Sequence, residues 1–518
     1  MTSIDIDAGN IDFYPIVKAY FRERRLSDVQ VESFNRFLER GIQEVVDAFK
    51  ELELVENYKL ILSKVYVGRP EVEEYDGSSL PAMPNEIRLR NANYLAPIEL
   101  EIKVYSGGME LKSERVRIGH IPIMVRSRGC YLHGLDEKRL MEKGEDPRDP
   151  GGYFIINGSE RVLVIRDDLA PNKVIVEQTT AENKPYSHVA QIVSAKAGLR
   201  TRLYLEYYTR DGTIKASTGA IRGIPVAMLL KALGLERDED IVDAISAEDE
   251  EIRNEFLYSL DDVQRRAEEE GTTGMLTREE ALDYIGRRLV QAVPRADRIR
   301  YAKEYLKNNL LPHIGNTDED NIVKAYFLAK MIEKLLKVVR GKLAPDDKDH
   351  FSNKRLRLAG TLMQEVFRDA FYQLVRRLKE KADEQLSSGV YDLDVRRILM
   401  SQKMITQRIL RAVATGAWPG GDLGVSQNLE RTNYIATLHH LRRVNSPLPA
   451  GLPLHEARQI HGTSVGRLCP LETPEGTNVG LVRSLAVFSD VTFGTDPEPI
   501  IEMILDWGVK PAAQATPK

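Results

Sequence analysis

Five stretches of this 518-residue sequence bring chemistry-bearing side chains close together. Asp346, Asp347, Asp349 and His350 form an acidic cluster. Close carboxylates can hold Mg²⁺ for phosphoryl chemistry. Asp is also common in turns, and Lys348, Lys354 and Arg355 stand nearby, so an ionic turn that braces those cations is the better reading. Cys130 and His133 make a C-x-x-H half-site. Zinc needs four ligands, or three and a water, and the other cysteine is Cys469. A buried thiol beside a surface histidine is expected instead. The Gly-rich run Thr415 to Gly424 could turn backbone N–H groups toward a phosphate. It lacks a following Lys-Ser/Thr and reads as a mobile loop. Cys469-Pro-Leu-Glu-Thr-Pro-Glu-Gly476 sets Glu472 and Glu475 in a turn stiffened by two prolines. No His or Ser partner is set by spacing, so a buried structural turn is expected.

Val425 to Arg443 is the richest stretch. Leu429, Ile435, Leu438 and Leu441 follow helical spacing, and Arg431, His439, His440, Arg442 and Arg443 stand beside Gln427 and Asn433. The planar guanidinium fork suits phosphates and base edges. A polar surface for nucleic acid and a salt-bridged helix both fit this composition. The P-loop, G-x-S-x-G, H-E-x-x-H and C-x-x-C signatures are missing.

The formal charge is −5, which argues against a simple nucleic-acid coat, but the charge is unevenly spread. Glu236 to Glu270 holds 15 acidic and 4 basic residues, net −11, whereas Asn321 to Arg411 holds 20 basic and 11 acidic, net +9. A basic face that neutralises phosphates is compatible with such a total. Two cysteines exclude a disulfide scaffold and fit a reducing, cytoplasmic setting. No apolar run reaches the roughly 18 residues of a membrane span.

The positioning elements follow from periodicity. Residues 27–50 read as an amphipathic helix, with Ser27 and Gln30 as a capping box. Residues 98–104 alternate as a half-buried strand. Asn157-Gly158 and Asp211-Gly212 mark hairpins. The chain turns helical and acidic after Pro225, and one helix stops at Gly341. Two long helices are expected over about 359–386 and 393–414, and a disordered tail over 511–518. Strand-rich, helix-rich, helical and loop-rich blocks in that order predict multidomain α+β architecture with mixed sheets and helices, one domain being discontinuous.

Five motifs then occur together: Gly151-Gly-Tyr-Phe-Ile-Ile-Asn-Gly-Ser-Glu-Arg161, Asp346-Asp-Lys-Asp-His-Phe-Ser-Asn-Lys-Arg-Leu356, Gly424-Val-Ser-Gln-Asn-Leu-Glu-Arg431, Leu438-His-His-Leu-Arg-Arg-Val-Asn-Ser-Pro447 and Arg467-Leu-Cys-Pro-Leu-Glu-Thr-Pro-Glu-Gly476. In this order they resemble the second-largest, β-like subunit of multisubunit DNA-dependent RNA polymerase. Glu430 and Asn445 favour its archaeal and eukaryotic branch. The length, and the absence of the family's later zinc-binding cysteine cluster, resemble the archaeal form in which the N-terminal half is a separate polypeptide. The resemblance implies a protrusion over 1–168 and 346–410, a lobe over 169–345, a fork over 411–500, and the start of an external domain over 501–518. It implies that Gln427 and Arg431 sit near the RNA–DNA hybrid. Arg442, Arg443 and Arg458 would lie near downstream DNA, Lys354 and Arg355 in the cleft lining, and Glu475 near the nucleotide as a positioning group. The implied partners are the C-terminal half of the B subunit, the largest subunit, the other polymerase subunits, template DNA and product RNA, with no membrane. Mg²⁺ would be held by another subunit, with no cofactor bound by this chain. The chain would then be inactive alone as a nucleotidyltransferase. The competing expectations are a stand-alone nucleic-acid-binding regulator of the same fold and a metal-dependent nuclease using Asp346, Asp347 and Asp349.

Overall fold

The computed structural model describes residues 12–55, 57–74, 78–179, 184–246, 249–269, 277–291, 293–389, 393–400, 404–449, 451, 455–494 and 497–509. The chain forms two units, Met1–Asp168 with Leu356–Thr492, and Leu169–Arg355 with Phe493–Lys518. The tail 511–518 lies outside the described residues.

In the first unit the alternation of 98–104 is realised. Ile98, Leu100, Ile102 and Val104 are buried within the strand Leu95–Ser106. This strand pairs antiparallel with Met109–Pro122 and Tyr58–Val67, and Glu51–Glu53 completes a four-stranded sheet. The helical stretch 27–50 becomes Asp28–Arg36, a wider π turn Phe37–Gly41, and Ile42–Asp47. Its apolar face packs on the helix Ala359–Ser387, where Phe37 meets Phe367 edge-on and Phe367 stacks on Phe371. Gly360 permits this crossing, because a Cβ there would stand 1.9 Å from the Ser33 carbonyl oxygen. The expected helix over 393–414 is described as Val395–Met400 and Met404–Thr415, with 401–403 outside the described residues.

The Ser27–Gln30 capping box does not form. Ser27 Oγ donates to the Pro150 carbonyl at 2.7 Å. Gln30 Nε2 donates to the carbonyls of Leu163 (3.0 Å) and Leu441 (3.3 Å), and Gln30 Oε1 accepts the Ala359 N–H at 3.0 Å. Burial explains the difference. Both residues sit in the core, where backbone groups of other segments need partners more than an exposed helix end does.

Asn157 (φ 51°) and Gly158 (φ 71°) turn the expected hairpin between Phe154–Ile156 and Ser159–Leu163. Ser426–Asn428 adds to its outer strand, with Gln427 opposite Val162. Val444 and Asn445 run parallel to Ile165 and Arg166, and the strand Arg443–Asn445 pairs antiparallel with Val482–Ser484.

The second unit carries a five-stranded antiparallel sheet in chain order, Ile175–Gln178, Tyr186–Lys196, Leu199–Tyr208, Thr213–Thr218 and Ile224–Pro225. Helices from Val226–Leu233 to Asp320–Val339 follow, and Gly341 ends the last of them at φ 71°. Lys324 is buried in this unit. Its Nζ donates to the carbonyls of Leu306 (3.0 Å) and Lys307 (2.8 Å), at the end of the helix Arg295–Asn308, and burial lowers its pKa to about 8. The architecture is the mixed, multidomain α+β one that the sequence predicts. Among the described residues no helix is long and apolar enough to cross a membrane.

Candidate nucleic-acid interface

The segment 425–443 is not one helix. It runs as the strand Ser426–Asn428, a turn, the helix Tyr434–Leu441, and the strand Arg443–Asn445. Ile435, counted on an apolar face, is 65% exposed. The spacing misleads because a turn falls inside it. Asn433 caps the helix by accepting the Ala436 N–H at 2.7 Å, and Thr437 Oγ1 donates to the Glu430 carbonyl at 2.7 Å. Asn at this place satisfies an otherwise unpaired N–H of the first helical turn.

Folding these pieces together creates a cavity of about 620 Å³. Gln427, Arg443 and Asn445 line it with Arg166, Arg483 and Glu472. Arg443 stands 3.6 Å from Glu430. Arg166 is buried and donates to the carbonyls of Ser446 (3.4 Å) and Leu423, and burial lowers its pKa. Arg483 donates to the carbonyls of Gly480 (2.6 Å) and Ala457 (2.8 Å). Glu472 meets His439 at 2.5 Å. Three guanidinium groups against one carboxylate give the lining a positive bias, which favours an anionic occupant.

Three of the predicted arginines have other partners. Arg431 makes a forked pair with Glu160 (2.6 and 3.0 Å), reaches Asp149 at 2.7 Å, and lies over the Tyr153 ring. Burial alone would lower its pKa, but Glu160 and Asp149 outweigh that and raise it. Arg88 closes the same network on Glu145 and Glu160. Arg442 is only 6% exposed. It donates to the carbonyls of Leu26 (3.1 Å), Ala486 (2.7 Å), Val487 (3.4 Å) and Ser489 (3.4 Å), and burial lowers its pKa. Arg458 is anchored to the Thr477 and Val479 carbonyls at 2.7 and 2.9 Å.

The turn expected to be buried at 469–476 is instead exposed, with Leu471 89% accessible and Glu475 also at the surface. Its rigidity comes from Thr473, whose Oγ1 donates to the Val482 carbonyl and accepts the Gly480 N–H. The Gly-rich run is tied down rather than loose. Trp418 is buried, with Nε1 donating to the Leu362 carbonyl, and Asp422 pairs with Arg357 at 2.8 Å.

Lys354 and Arg355 belong to the second unit. Lys354 pairs with Asp349 at 3.1 Å, while Arg355 is exposed and donates to the carbonyls of Ser352 and Lys354. The acidic cluster is engaged as an ionic turn. Asp346 accepts from Lys334 Nζ (2.6 Å) and the Val176 N–H (2.8 Å), and Asp347 from the Asp349 N–H. Lys348 also pairs with Glu177, at 3.0 Å. Among the described residues no group of three His, Cys, Asp or Glu could hold a metal ion. Cys130 is buried, accepting from the Tyr94 hydroxyl at 3.3 Å, while His133 is exposed.

Sequence reasoning missed Arg166, Arg483 and the meeting of His439 with Glu472. Arg166 follows one motif and Arg483 another, and pairing of Ile165 and Arg166 with Val444 and Asn445 is what draws them together.

The family described as RNA polymerase beta subunit matches residues 25–410, and RNA polymerase Rpb2, domain 3, matches 427–491. The chain belongs to the RNA polymerase beta subunit family. It is 40% identical to DNA-directed RNA polymerase subunit Rpo2N of Methanothermobacter thermautotrophicus, across 94% of this chain and 96% of that protein. The Rpo2N subunit of Methanocaldococcus jannaschii is 39% identical across 95% and 98%. Subunit Rpo2 of Saccharolobus solfataricus is 40% identical across 96% of this chain but 43% of its own length. Near end-to-end similarity to one set of archaeal subunits, and to less than half of another, is the pattern that a divided subunit predicts.

Proposed function

We propose that this chain is the N-terminal half of the divided archaeal B subunit, and that it acts in the cytoplasm within an assembled DNA-directed RNA polymerase. Its units would be the protrusion, lobe and fork of the β-like subunit. Its partners are the C-terminal half of the subunit, the largest subunit, and the remaining polymerase subunits, with template DNA and product RNA in the cleft. In this reading Gln427 and Arg443 face the RNA–DNA hybrid from the cavity. Lys354, Arg355 and Arg458 add to the cationic cleft lining, and Glu475 stands toward the nucleotide. Arg431 and Arg442 serve by holding the surfaces that carry the others.

The observation that carries the reading is the cavity lining, three arginines and Gln427 against one glutamate. Phosphates of a hybrid supply the complementary charge, and hydrogen bonds from amide and guanidinium groups fix its register. The reaction is attack of an RNA 3′-hydroxyl on a nucleoside triphosphate, for which this chain supplies positioning and charge. Mg²⁺ is assigned to another subunit, because Asp346, Asp347 and Asp349 are already engaged by cations and backbone N–H groups. A further support is the distribution of exposed apolar side chains. Among the described residues, 16 of the 32 large exposed ones fall between Tyr434 and Val509. Nine of these lie in the first unit and seven in the second, and exposed apolar side chains of this kind suit surface that a partner covers.

The test is reconstitution with Gln427→Ala and Arg443→Ala chains. Stalled elongation complexes should dissociate faster on a salt challenge, and more steeply with salt for wild type than for Arg443→Ala. Lifetimes equal to wild type for both variants would refute the assignment.

A further inference from the structure

His440 and Gln427 hold one another in a single arrangement, and hydrogen-bond logic fixes where the proton lies. Gln427 Nε2 donates to the Gly424 carbonyl at 3.2 Å, so its Oε1 is the end that faces His440 Nε2, at 3.0 Å. An amide oxygen only accepts, so Nε2 of the imidazole carries the hydrogen. The other ring nitrogen agrees. Nδ1 accepts the Glu430 N–H at 3.1 Å and therefore bears no proton. A neutral imidazole can satisfy both demands at once in one tautomer, whereas an imidazolium would set two N–H groups against each other at Nδ1. The side chain is 3% exposed, on the inner side of the helix Tyr434–Leu441. Burial first, then the positive charge of Arg443, favour the neutral ring, and Glu430 opposes them weakly.

We propose that His440 is a positioning residue that acts through Gln427, orienting its carboxamide in the cavity as a neutral Nε2–H tautomer. Held at both ends, Gln427 presents its remaining donor in one direction, so its contact with a strand in the cavity needs no rotamer search. The inference rests on the reading that Gln427 meets the hybrid.

Two substitutions separate the two bonds. In His440→Asn the short amide can still accept the Glu430 N–H but does not reach Gln427. In His440→Gln the longer amide reaches Gln427 as a donor. With polymerase reconstituted from the full chain, the lifetime of a stalled elongation complex under a salt challenge is the readout. Loss of one directed hydrogen bond should shorten it about fivefold. His440→Asn and Gln427→Ala should each show that loss, the double variant should lose no more, and His440→Gln should stay within about twofold of wild type. Wild-type behaviour of His440→Asn, or multiplied effects in the double variant, would overturn the proposal. If Gln427→Ala itself leaves the lifetime unchanged, the hybrid reading of Gln427 fails. The tautomer is then decided by two-bond ¹H–¹⁵N spectra of the full chain, with His440→Asn identifying the signal. Equivalent ring nitrogens at neutral pH would overturn it.

Discussion

The imidazole of His439 meets the carboxylate of Glu472 at 2.5 Å, joining the helix Tyr434–Leu441 to the exposed turn that precedes Gly476. Both side chains are more than a third exposed, so the pair contributes little to global stability, on the order of 0.2–1 kcal/mol. Its role is local. Glu472→Gln should speed hydrogen exchange at the amides of 471–480 and leave the main unfolding transition in place. Exchange rates unchanged across that turn would contradict this.

Arg431 behaves as a strut. Its removal takes a charged donor from two poorly exposed carboxylates, leaving Glu160 with Arg88 and Asp149 with the Tyr153 hydroxyl and the Gly151 N–H. Arg431→Ala should cost about 1–2 kcal/mol, a figure reduced for partial exposure. Arg431→Lys should recover only part, because an ammonium cannot reproduce the fork. Denaturant midpoints of the full chain would measure this.

Arg442 is the more severe case. Replacing a buried guanidinium by Ala leaves the carbonyls of Leu26, Ala486, Val487 and Ser489 without that donor. The expected loss is about 3 kcal/mol. It should be accompanied by new protease cleavage within 485–490, where the wild-type chain resists. Impaired polymerase assembly is expected too, so an Arg442→Ala defect in elongation would not report a lost nucleic-acid contact.

The pH dependence of the first unit follows from His440, whose pKa burial lowers from 6.5 to about 4. Between those values the unfolded chain takes up a proton that the folded chain refuses. Stability is therefore complete above about pH 6.5 and falls as pH drops toward 4, by about 3 kcal/mol in all. Glu430 and Arg443 face the same ring and must be intact in the comparison. His440→Gln should flatten this part of the profile, as read by denaturant titration at pH 4.5 and 7.

Lys324 gives the second unit the opposite end of the scale. Its folded pKa is about 8 against 10.5 for an ordinary lysine. Between pH 8 and 10.5 the unfolded state holds the extra proton, so stability rises with pH across that window. Lys324→Met should abolish the rise while leaving the Leu306 and Lys307 carbonyls to water or strain. Thermal unfolding at pH 8 and 10 distinguishes the two.

The legible parts of the sequence were those with local causes. Asn157-Gly158 supplies positive φ to a two-residue turn, and 98–104 alternates because one face is buried. Ser27 and Gln30 misled because their partners, Pro150, Leu163, Ala359 and Leu441, lie more than 100 residues away. No local spacing encodes such partners. The site shows the same division. The Arg and His composition of 425–443 pointed to a polar surface, but which of its arginines reach the cavity was decided by Glu160 and by distant carbonyls. Spacing cannot tell an arginine that meets a ligand from one that holds the backbone beneath it.

The bracket made by Gln30 has a consequence for synthesis. Its carboxamide must wait for Leu441, 411 residues later, before its last partner exists. At about 5–20 residues per second the ribosome takes roughly 20–80 s to deliver that partner. For most of this time the core face of Asp28–Asp47 lacks the helix Ala359–Ser387, whereas the sheet and helices of 169–355 emerge as one uninterrupted stretch. The nascent first unit therefore depends on protection from aggregation far longer than the segment inserted within it.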